Sequence, residues 1–321
     1  MRVLFWGTSD FALPTLRSLA SSRHGVAAVV TQPDRPAGRG RSVRATPVKE
    51  EADELGLPTL QPESPEGDAF VERIGSLEPD VSVVAAYGEI LTERVLEVPG
   101  RGSLNVHASL LPELRGAAPV NWAVIRGHDR SGVTIMRMVR ELDAGPVLRQ
   151  VEVELGPETT AGALFEELSR LGAEALLATL EALEQGDAEE REQDHDRATY
   201  APKLDRETAR LDWSRSATEL DRWIRGCDPW PAAWSGLERP DEDVLRVQLF
   251  DPDPEDAPSG SGPEPPAAPG TVLTADPRRG LRVACGEGVI GVGEVKPAGR
   301  SRMSSAAWVR GRGVAEGQRF A

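Results

Sequence analysis

Over the first 138 residues, short apolar runs that read as strands alternate with stretches of helical periodicity, the signature of a parallel, doubly wound α/β sheet. The strand readings are RVLFWG (2–7), GVAAVVT (25–31), LPTL (57–60), DVSVVAAY (80–87), the segment 102–107 and GVTIMRM (132–138); helices are expected near 10–21, 47–55, 66–76 and 117–127. DVSVVAAY is nearly all apolar, as a strand covered on both faces must be. A single long helix is predicted over 159–185, because Leu164, Phe165, Leu168, Leu171, Ala175, Leu176, Leu180 and Leu183 recur at helical spacing and Gly186 stands just beyond its end.

Past this point the pattern changes. A polar, acidic stretch (187–206) reads as a linker, and one helix near 216–226 precedes short strands (VLRVQLF, GTVLT, LRVAC, GVIGVGEV) of the kind that build a small β-barrel. The expected organisation is therefore a domain over 1–186, a linker over 187–206 and a barrel domain over 207–321. Within the barrel, 251–270 is so rich in Pro, Gly, Ser and acid that a flexible loop is expected.

Composition narrows the function. The chain has 321 residues and a formal charge of −15, which argues against indiscriminate binding of nucleic acid while leaving room for a local basic patch. Its two cysteines, Cys227 and Cys285, have no metal-ligand spacing and imply no disulfide framework, so a reducing compartment and no Cys-based zinc site are expected. No apolar run approaches the roughly 20 residues that cross a bilayer. A cytoplasmic protein without a membrane partner is the resulting expectation.

Some motifs mislead. GEGVIG (286–291) has the spelling of a dinucleotide fingerprint but lies between two strand patterns with no helix after it, so it reads as a glycine-rich hairpin. The first strand ends in GTSDFA, which lacks the second glycine of that fingerprint, and PAGRGR (36–41) lacks the lysine of a phosphate loop. His24, His128 and His195 stand in polar, loop-like contexts and read as surface residues.

The segment SLNVHASLLP (103–112) is different. Alternation puts Leu104 and Val106 on one face of a strand and Asn105 with His107 on the other, at a carboxyl end, where open α/β sheets bind ligands. The competing reading is an amide bonded to a neighbouring loop beside a satisfied core histidine. The next strand runs into VRELDAGPVL (139–148), which would bring Asp143 to the same sheet edge. A carboxylate beside an imidazole supports acid–base work, and an amide NH₂ can donate to a developing oxyanion. No Ser or Cys has the setting of an acyl-enzyme nucleophile, so these residues suggest acyl transfer to a nucleophile that the substrate supplies, by a transferase or a hydrolase.

NVHASLLPELRGAAPVNWA followed by GVTIMRMVRELDAGPVL closely resembles the folate-dependent formyltransferases. The resemblance implies a Rossmann-like first domain, 10-formyltetrahydrofolate as formyl donor in a transfer that calls for no metal, and Asn105, His107 and Asp143 as catalytic residues. It also implies a folate site at Ser109, Leu110, Leu111 and Pro112, joined by Gly88 and Leu142. Between 34 and 49 the chain carries Arg35, Arg39, Arg41, Arg44 and Lys49 against Asp34 alone. By charge alone this is as easily a solvated basic loop. Its spelling DRPAGRG, however, is similar to the tRNA-gripping loop of the methionyl-tRNA formyltransferases. GTSDFA, AYGEIL, YAPKL, LDWS, IRGCDPWPAAW and KPAGRSRMS extend that resemblance over nearly the whole chain. It implies methionyl initiator tRNA as acceptor, an OB-like barrel contacting tRNA through Lys296, Arg300 and Arg302, and a monomer. Trp6 beside Gly7 departs from the pattern, as does the length of the acidic loop. A formyltransferase with a small amino acceptor and a 10-formyltetrahydrofolate hydrolase are the alternatives.

Overall fold

The computed structural model describes residues 1–37, 42–239, 242–255 and 267–321. They form two compact units: Met1–Pro119 with Arg130–Glu154 and Leu164–Pro202, and Val120–Asp129 with Leu155–Ala163 and Lys203–Ala321.

The first unit is built on a seven-stranded sheet. Its strands are β1 (Arg2–Gly7), β2 (Gly25–Val30), β3 (Thr59–Leu60), β4 (Val81–Ala85), β5 (Ser103–His107), β6 (Arg130–Arg137) and β7 (Val147–Glu154), ordered β7-β6-β5-β4-β1-β2-β3. β1 to β5 are parallel, with helices α1 (Leu13–Ala20), α2 (Pro47–Glu54) and α3 (Asp68–Gly75) in their connections. The strand order reverses between β1 and β4, the kind of switch point beyond whose carboxyl ends open α/β sheets bind ligands. Gly7 ends β1 there, and a Cβ on it would stand 2.8 Å from Cβ of Ala12 and 3.2 Å from the Ala85 carbonyl. All five residues of β4 are buried, as its apolar run required.

β6 departs from the sequence expectation by running antiparallel to β5, with Leu104 opposite Arg137 and His107 opposite Thr134. Its end therefore lies beside the start of β5 and not at the carboxyl edge. Asp143 comes to the site through the 138–146 loop, which turns back on the strand: the Arg137 amide donates to the Pro146 carbonyl at 2.9 Å. Gly145 is required at that turn, since a Cβ on it would meet the Arg137 carbonyl at 2.0 Å.

The long helix, α4 (Ala161–Gln185), covers the apolar face of β5 and β6. Its Gly172 sits against Val106 and Val133, Phe165 meets Phe11 edge-on at 5.3 Å, and Ser169 Oγ donates to the Phe11 carbonyl at 2.9 Å. Leu104 and Val106 are thus the core residues of β5, each side chain worth about 1.5–3 kcal/mol of burial. Trp6 also belongs to the core: it is fully buried, packs edge-on against Phe70 and Tyr87, and donates from Nε1 to Ser82 Oγ at 3.2 Å.

Part of the acidic stretch expected to be a linker is stitched into the first unit. Arg191 exchanges two backbone hydrogen bonds with Val147, and Tyr200–Ala201 pairs in parallel with Arg115–Gly116.

The second unit is an antiparallel barrel of β8 (Trp234–Arg239), β9 (Glu242–Glu255), β10 (Val272–Asp276), β11 (Gly280–Ala284), β12 (Val289–Pro297) and β13 (Arg319–Phe320), ordered β10-β11-β12-β9-β8-β13. A bridge between Thr271 and Arg319 nearly closes it. A helix over Ala217–Cys227 opens with a capping box, Ser216 to Glu219, and buries Leu220, Ile224 and Cys227. GEGVIG is the β11–β12 hairpin turn, as its context indicated. The expected loop over 251–270 begins later than composition suggested, because β9 continues through Glu255 against β12. Past Phe250 the strand is paired to β12 alone, which leaves Pro252 and Pro254 an edge on which no donor is needed. Most of the remainder of that loop, 256–266, lies outside the described residues.

Candidate active site

At the carboxyl end of β5, the sheet's own geometry gathers the polar residues. Asn105 and His107 project from the face opposite Leu104 and Val106; His107 is buried and Asn105 half-buried. Asp143, in a left-handed conformation (φ 49°), reaches both of them. Its Oδ1 accepts from Asn105 Nδ2 at 3.5 Å, and its Oδ2 lies 3.7 Å from His107 Nδ1. The sequence reading of these as one cluster corresponds to what the fold assembles.

The hydrogen bonds settle how the imidazole is held. His107 Nε2 lies 3.1 Å from the Leu114 carbonyl, which can only accept, so Nε2 carries the proton. Nδ1, facing the carboxylate, is then the atom free to take a proton, and at 3.7 Å the carboxylate acts on it by charge more than by a formed hydrogen bond. Asp143 Oδ2 is itself oriented by the Gly116 amide, which donates at 2.8 Å. The 3.5 Å bond from Asn105 is at the limit of hydrogen-bond length, so its amide is easily redirected to a substrate oxygen.

The turn after β5 is also fixed. Thr134 Oγ1 donates to the Ser109 carbonyl at 2.6 Å and accepts from the Leu111 amide at 3.2 Å. Ser109 Oγ donates to the Glu113 carbonyl at 2.6 Å, the Leu111–Pro112 bond is cis, and Leu111 packs with Met136 and Val147. Leu110 lies against Gly132, where a Cβ would stand 2.6 Å from its Cδ2. Gly88 follows β4 with φ 91°, and a Cβ on it would meet Gln32 Nε2 at 2.9 Å, so only glycine fits. The loops that carry Gly88 and Asp143 leave large apolar side chains uncovered: Ile90 is 76% exposed, Leu142 51% and Val139 38%.

Several residues at this site carried no signal in the sequence. Leu114 (φ 59°) acts through its carbonyl, and its amide donates to Thr199 Oγ1 at 2.9 Å. Gln193, 7% exposed, donates to the carbonyls of Asp143 and Gly145. Both Thr199 and Gln193 come from the stretch that composition marked as linker.

The expected tRNA-binding residues are placed apart from this cluster in sequence and differ in their commitments. Arg35 is exposed and 3.8 Å from Glu89, and Arg44 is exposed. Lys49 is paired with Asp34 at 2.7 Å, and Gln61 donates to the other oxygen of the same carboxylate. Arg39 and Arg41 lie outside the described residues. On the barrel, Lys296 and Arg300 are exposed, whereas Arg302 is bound to Asp228 and Glu294 and stacked on Phe250 at 3.9 Å. No group of metal-ligating side chains occurs among the described residues. A cleft of about 740 Å³ in the second unit is lined by Asp129, Glu158, Asp251 and Asp253 with Arg222 and Arg225, a balance unsuited to phosphates.

A sheet of this order, with an amide, an imidazole and a carboxylate gathered at its carboxyl edge and a barrel following it, defines a class. The chain belongs to the formyl transferase family, whose description it matches over residues 1–180, and it matches the formyl transferase C-terminal domain over 203–313. It is 45% identical over 311 residues to a methionyl-tRNA formyltransferase of Desulfotalea psychrophila, covering 97% of this chain and 93% of that one. A methionyl-tRNA formyltransferase of Methylococcus capsulatus is 44% identical over 305 residues, covering 95% of each chain. Among solved structures, HypX from Aquifex aeolicus shares the fold at 20% identity: a variant has a TM-score of 0.65, covering 98% of this chain and 48% of that one. The complex of HypX with tetrahydrofolic acid has a TM-score of 0.62.

Proposed function

We propose that the protein transfers the formyl group of 10-formyltetrahydrofolate to the α-amino group of methionyl initiator tRNA. The observation that carries this reading is the convergence of Asn105, His107 and Asp143 on one end of β5, with no nucleophile of the chain among them. The names of the 45% and 44% identical relatives supply the acceptor.

In this reaction the substrate amine attacks the formyl carbon, a C–N bond forms, and the carbonyl oxygen becomes an oxyanion. Asn105 turns its Nδ2 donor from Asp143 to that oxygen. His107 receives the amine proton at Nδ1, where Asp143 stabilises the resulting imidazolium, and returns it to the folate nitrogen as the bond to the donor breaks. Leu114, through its carbonyl, keeps the ring from turning. The turn 109–112, Gly88 and Leu142 bind the folate, for whose planar rings the uncovered Ile90, Val139 and Leu142 offer apolar surface. The chemistry is assigned to the first unit, and the chain acts as a monomer in the cytoplasm.

The acceptor tRNA is held by cations that the structure leaves available. These are Arg35 and Arg44 and, on the barrel, Lys296 and Arg300; Arg39 and Arg41, outside the described residues, are assigned to the tRNA by the spelling of their loop alone. Lys296 lies opposite Gln248, which lies opposite Trp234, so the three share the outer face of adjacent strands. Arg246 and Arg210 stack on Trp234 at 3.9 and 5.7 Å and extend the patch with guanidinium edges that suit phosphates.

The test is transfer of labelled formyl from 10-formyltetrahydrofolate, with initiator methionyl-tRNA, elongator methionyl-tRNA and no tRNA in parallel. Label on the initiator alone supports the reading. Label released as formate in every tube makes the protein a hydrolase, and label on a small amine alone makes it a transferase of a different acceptor.

A further inference from the structure

We infer that Gln193 and Gln150 are positioning residues of the transfer reaction, through which the segment 189–201 fixes the catalytic carboxylate and the folate turn separately. The inference rests on the reading of Asp143 and 109–112 given above.

The two glutamines are used in the same way. Gln193 Nε2 donates to the carbonyls of Asp143 at 2.9 Å and Gly145 at 2.7 Å, while its Oε1 accepts from Arg115 Nη2 at 2.7 Å and Nε at 3.2 Å. Gln150 Nε2 donates to the Leu111 carbonyl at 2.8 Å and to Thr134 Oγ1 at 3.0 Å, and its Oε1 accepts from Arg191 Nη2 at 2.7 Å. An arginine only donates and a carbonyl only accepts, so neither amide can be flipped. Each NH₂ is therefore aimed at one loop of the site, Gln193 at the loop of Asp143 and Gln150 at the turn after Ser109.

The source of the clamp is the acidic stretch after α4. Arg191 is tied to Val147 by 2.8 and 2.9 Å backbone bonds, and Gln193 follows two residues later. Asp143 needs such support. It stands in a left-handed conformation that a residue with a Cβ rarely keeps unless its surroundings impose it. Without Gln193, its carbonyl and that of Gly145 lose their donor, and the carboxylate keeps its place beside His107 Nδ1 only through the Gly116 amide and the long bond from Asn105. A displacement near 1 Å at a reacting group can cost about 10²-fold in rate.

The experiment is steady-state kinetics on Gln193→Glu, Gln150→Glu and Asp143→Asn, with folding of each verified by near-ultraviolet circular dichroism. Gln193→Glu retains the bond to Arg115 and loses the donor. It should lower kcat by about 10–10²-fold with KM for both substrates within about twofold, a split that general loosening of the fold does not produce. Gln150→Glu should instead raise KM for 10-formyltetrahydrofolate and leave KM for tRNA unchanged. Wild-type kcat in Gln193→Glu together with an inactive Asp143→Asn overturns the role of Gln193 and leaves the site reading intact. Full activity of Asp143→Asn overturns the site reading and the inference with it. Identical changes in kcat and KM for both glutamine variants overturn the separation of roles.

Discussion

Nε2 of His107 stands 3.1 Å from the carbonyl oxygen of Leu114, and this contact divides the imidazole into a structural half and a chemical half. The halves can be separated by substitution. His107→Gln places an amide NH₂ near Nε2 and preserves the bond to Leu114; His107→Asn places its amide near Nδ1 and leaves the carbonyl without a donor. Neither amide accepts a proton at neutral pH, so both variants should lose about 10²–10⁴ in kcat. Only His107→Asn should also lose stability, by about 1–3 kcal/mol, as a buried acceptor left unpaired requires. Thermal unfolding beside single-turnover rates measures both, and equal stabilities would mean that the Leu114 bond does not orient the ring.

Gly116 supplies the amide that orients Asp143, and its own position tolerates no side chain. Its φ is 113°, and a Cβ would stand 2.6 Å from Cε2 of Tyr200 and 2.8 Å from the Ala201 carbonyl. Gly116→Ala should therefore push the 115–116 segment off its partner, at a cost of about 1–3 kcal/mol for the backbone strain, and remove the donor from Asp143 Oδ2. The expected outcome is a lower unfolding temperature with a fall in kcat larger than in any folate KM change. A variant with normal kcat and lowered stability would show that the Gly116 amide holds the fold but not the carboxylate.

Asn105 and His107 were legible because alternation along five residues says which side chains share a face, whatever the strand pairs with. The direction of β6 was not legible. A parallel and an antiparallel strand bury the same apolar residues, so the pattern GVTIMRM predicts a strand and leaves its direction open. Asp143 was thus expected at the site by way of a parallel edge and arrives by way of a reversing loop that depends on Gly145. Gln193 and Thr199 had no signal at all: an acidic, polar stretch looks solvated, and the backbone groups they bind, the Asp143 and Gly145 carbonyls and the Leu114 amide, lie far away in sequence. The end of barrel strand β9 was not legible because the Pro, Gly, Ser and acid of 251–270 read together as a flexible loop, and only the sheet's edge shows why Pro252 and Pro254 are tolerated in a strand.

Two cations of the 34–49 region should contribute unequally to tRNA binding. Lys49 and Gln61 donate to Asp34 and hold its carboxyl below the usual carboxylate range, so the charge of Lys49 stays neutralised throughout neutral pH. By linkage, this pair favours the folded loop above the ordinary Asp range, and its contribution is lost as pH falls through the lowered folded value. Arg44 is exposed and has no carboxylate bonded to it among the described residues. Arg44→Ala should weaken tRNA binding and reduce the slope of log K against log salt by about 0.7–0.9, one phosphate contact. Lys49→Met should change that slope by less, and equally at pH 6 and pH 8. Binding titrations over a salt series decide it; equal slopes for the two variants would mean that Lys49 leaves Asp34 to reach the RNA.

Cys227 and Cys285 should take no part in the chemistry. Burial pushes the Cys227 thiol up to about 12 and the Cys285 thiol to about 11, and both are free and buried. At pH 8 only about one Cys227 thiol in 10⁴ is then ionised, and the thiolate is the reactive form. Native protein mixed with a chromogenic disulfide at pH 8 should show no fast-reacting thiol, and two after unfolding in guanidinium. N-ethylmaleimide should leave formyl transfer unchanged over the same interval. A single thiol that reacts quickly in the native protein, with activity lost in step, would place a covalent thioester between donor and acceptor and displace direct transfer to the amine.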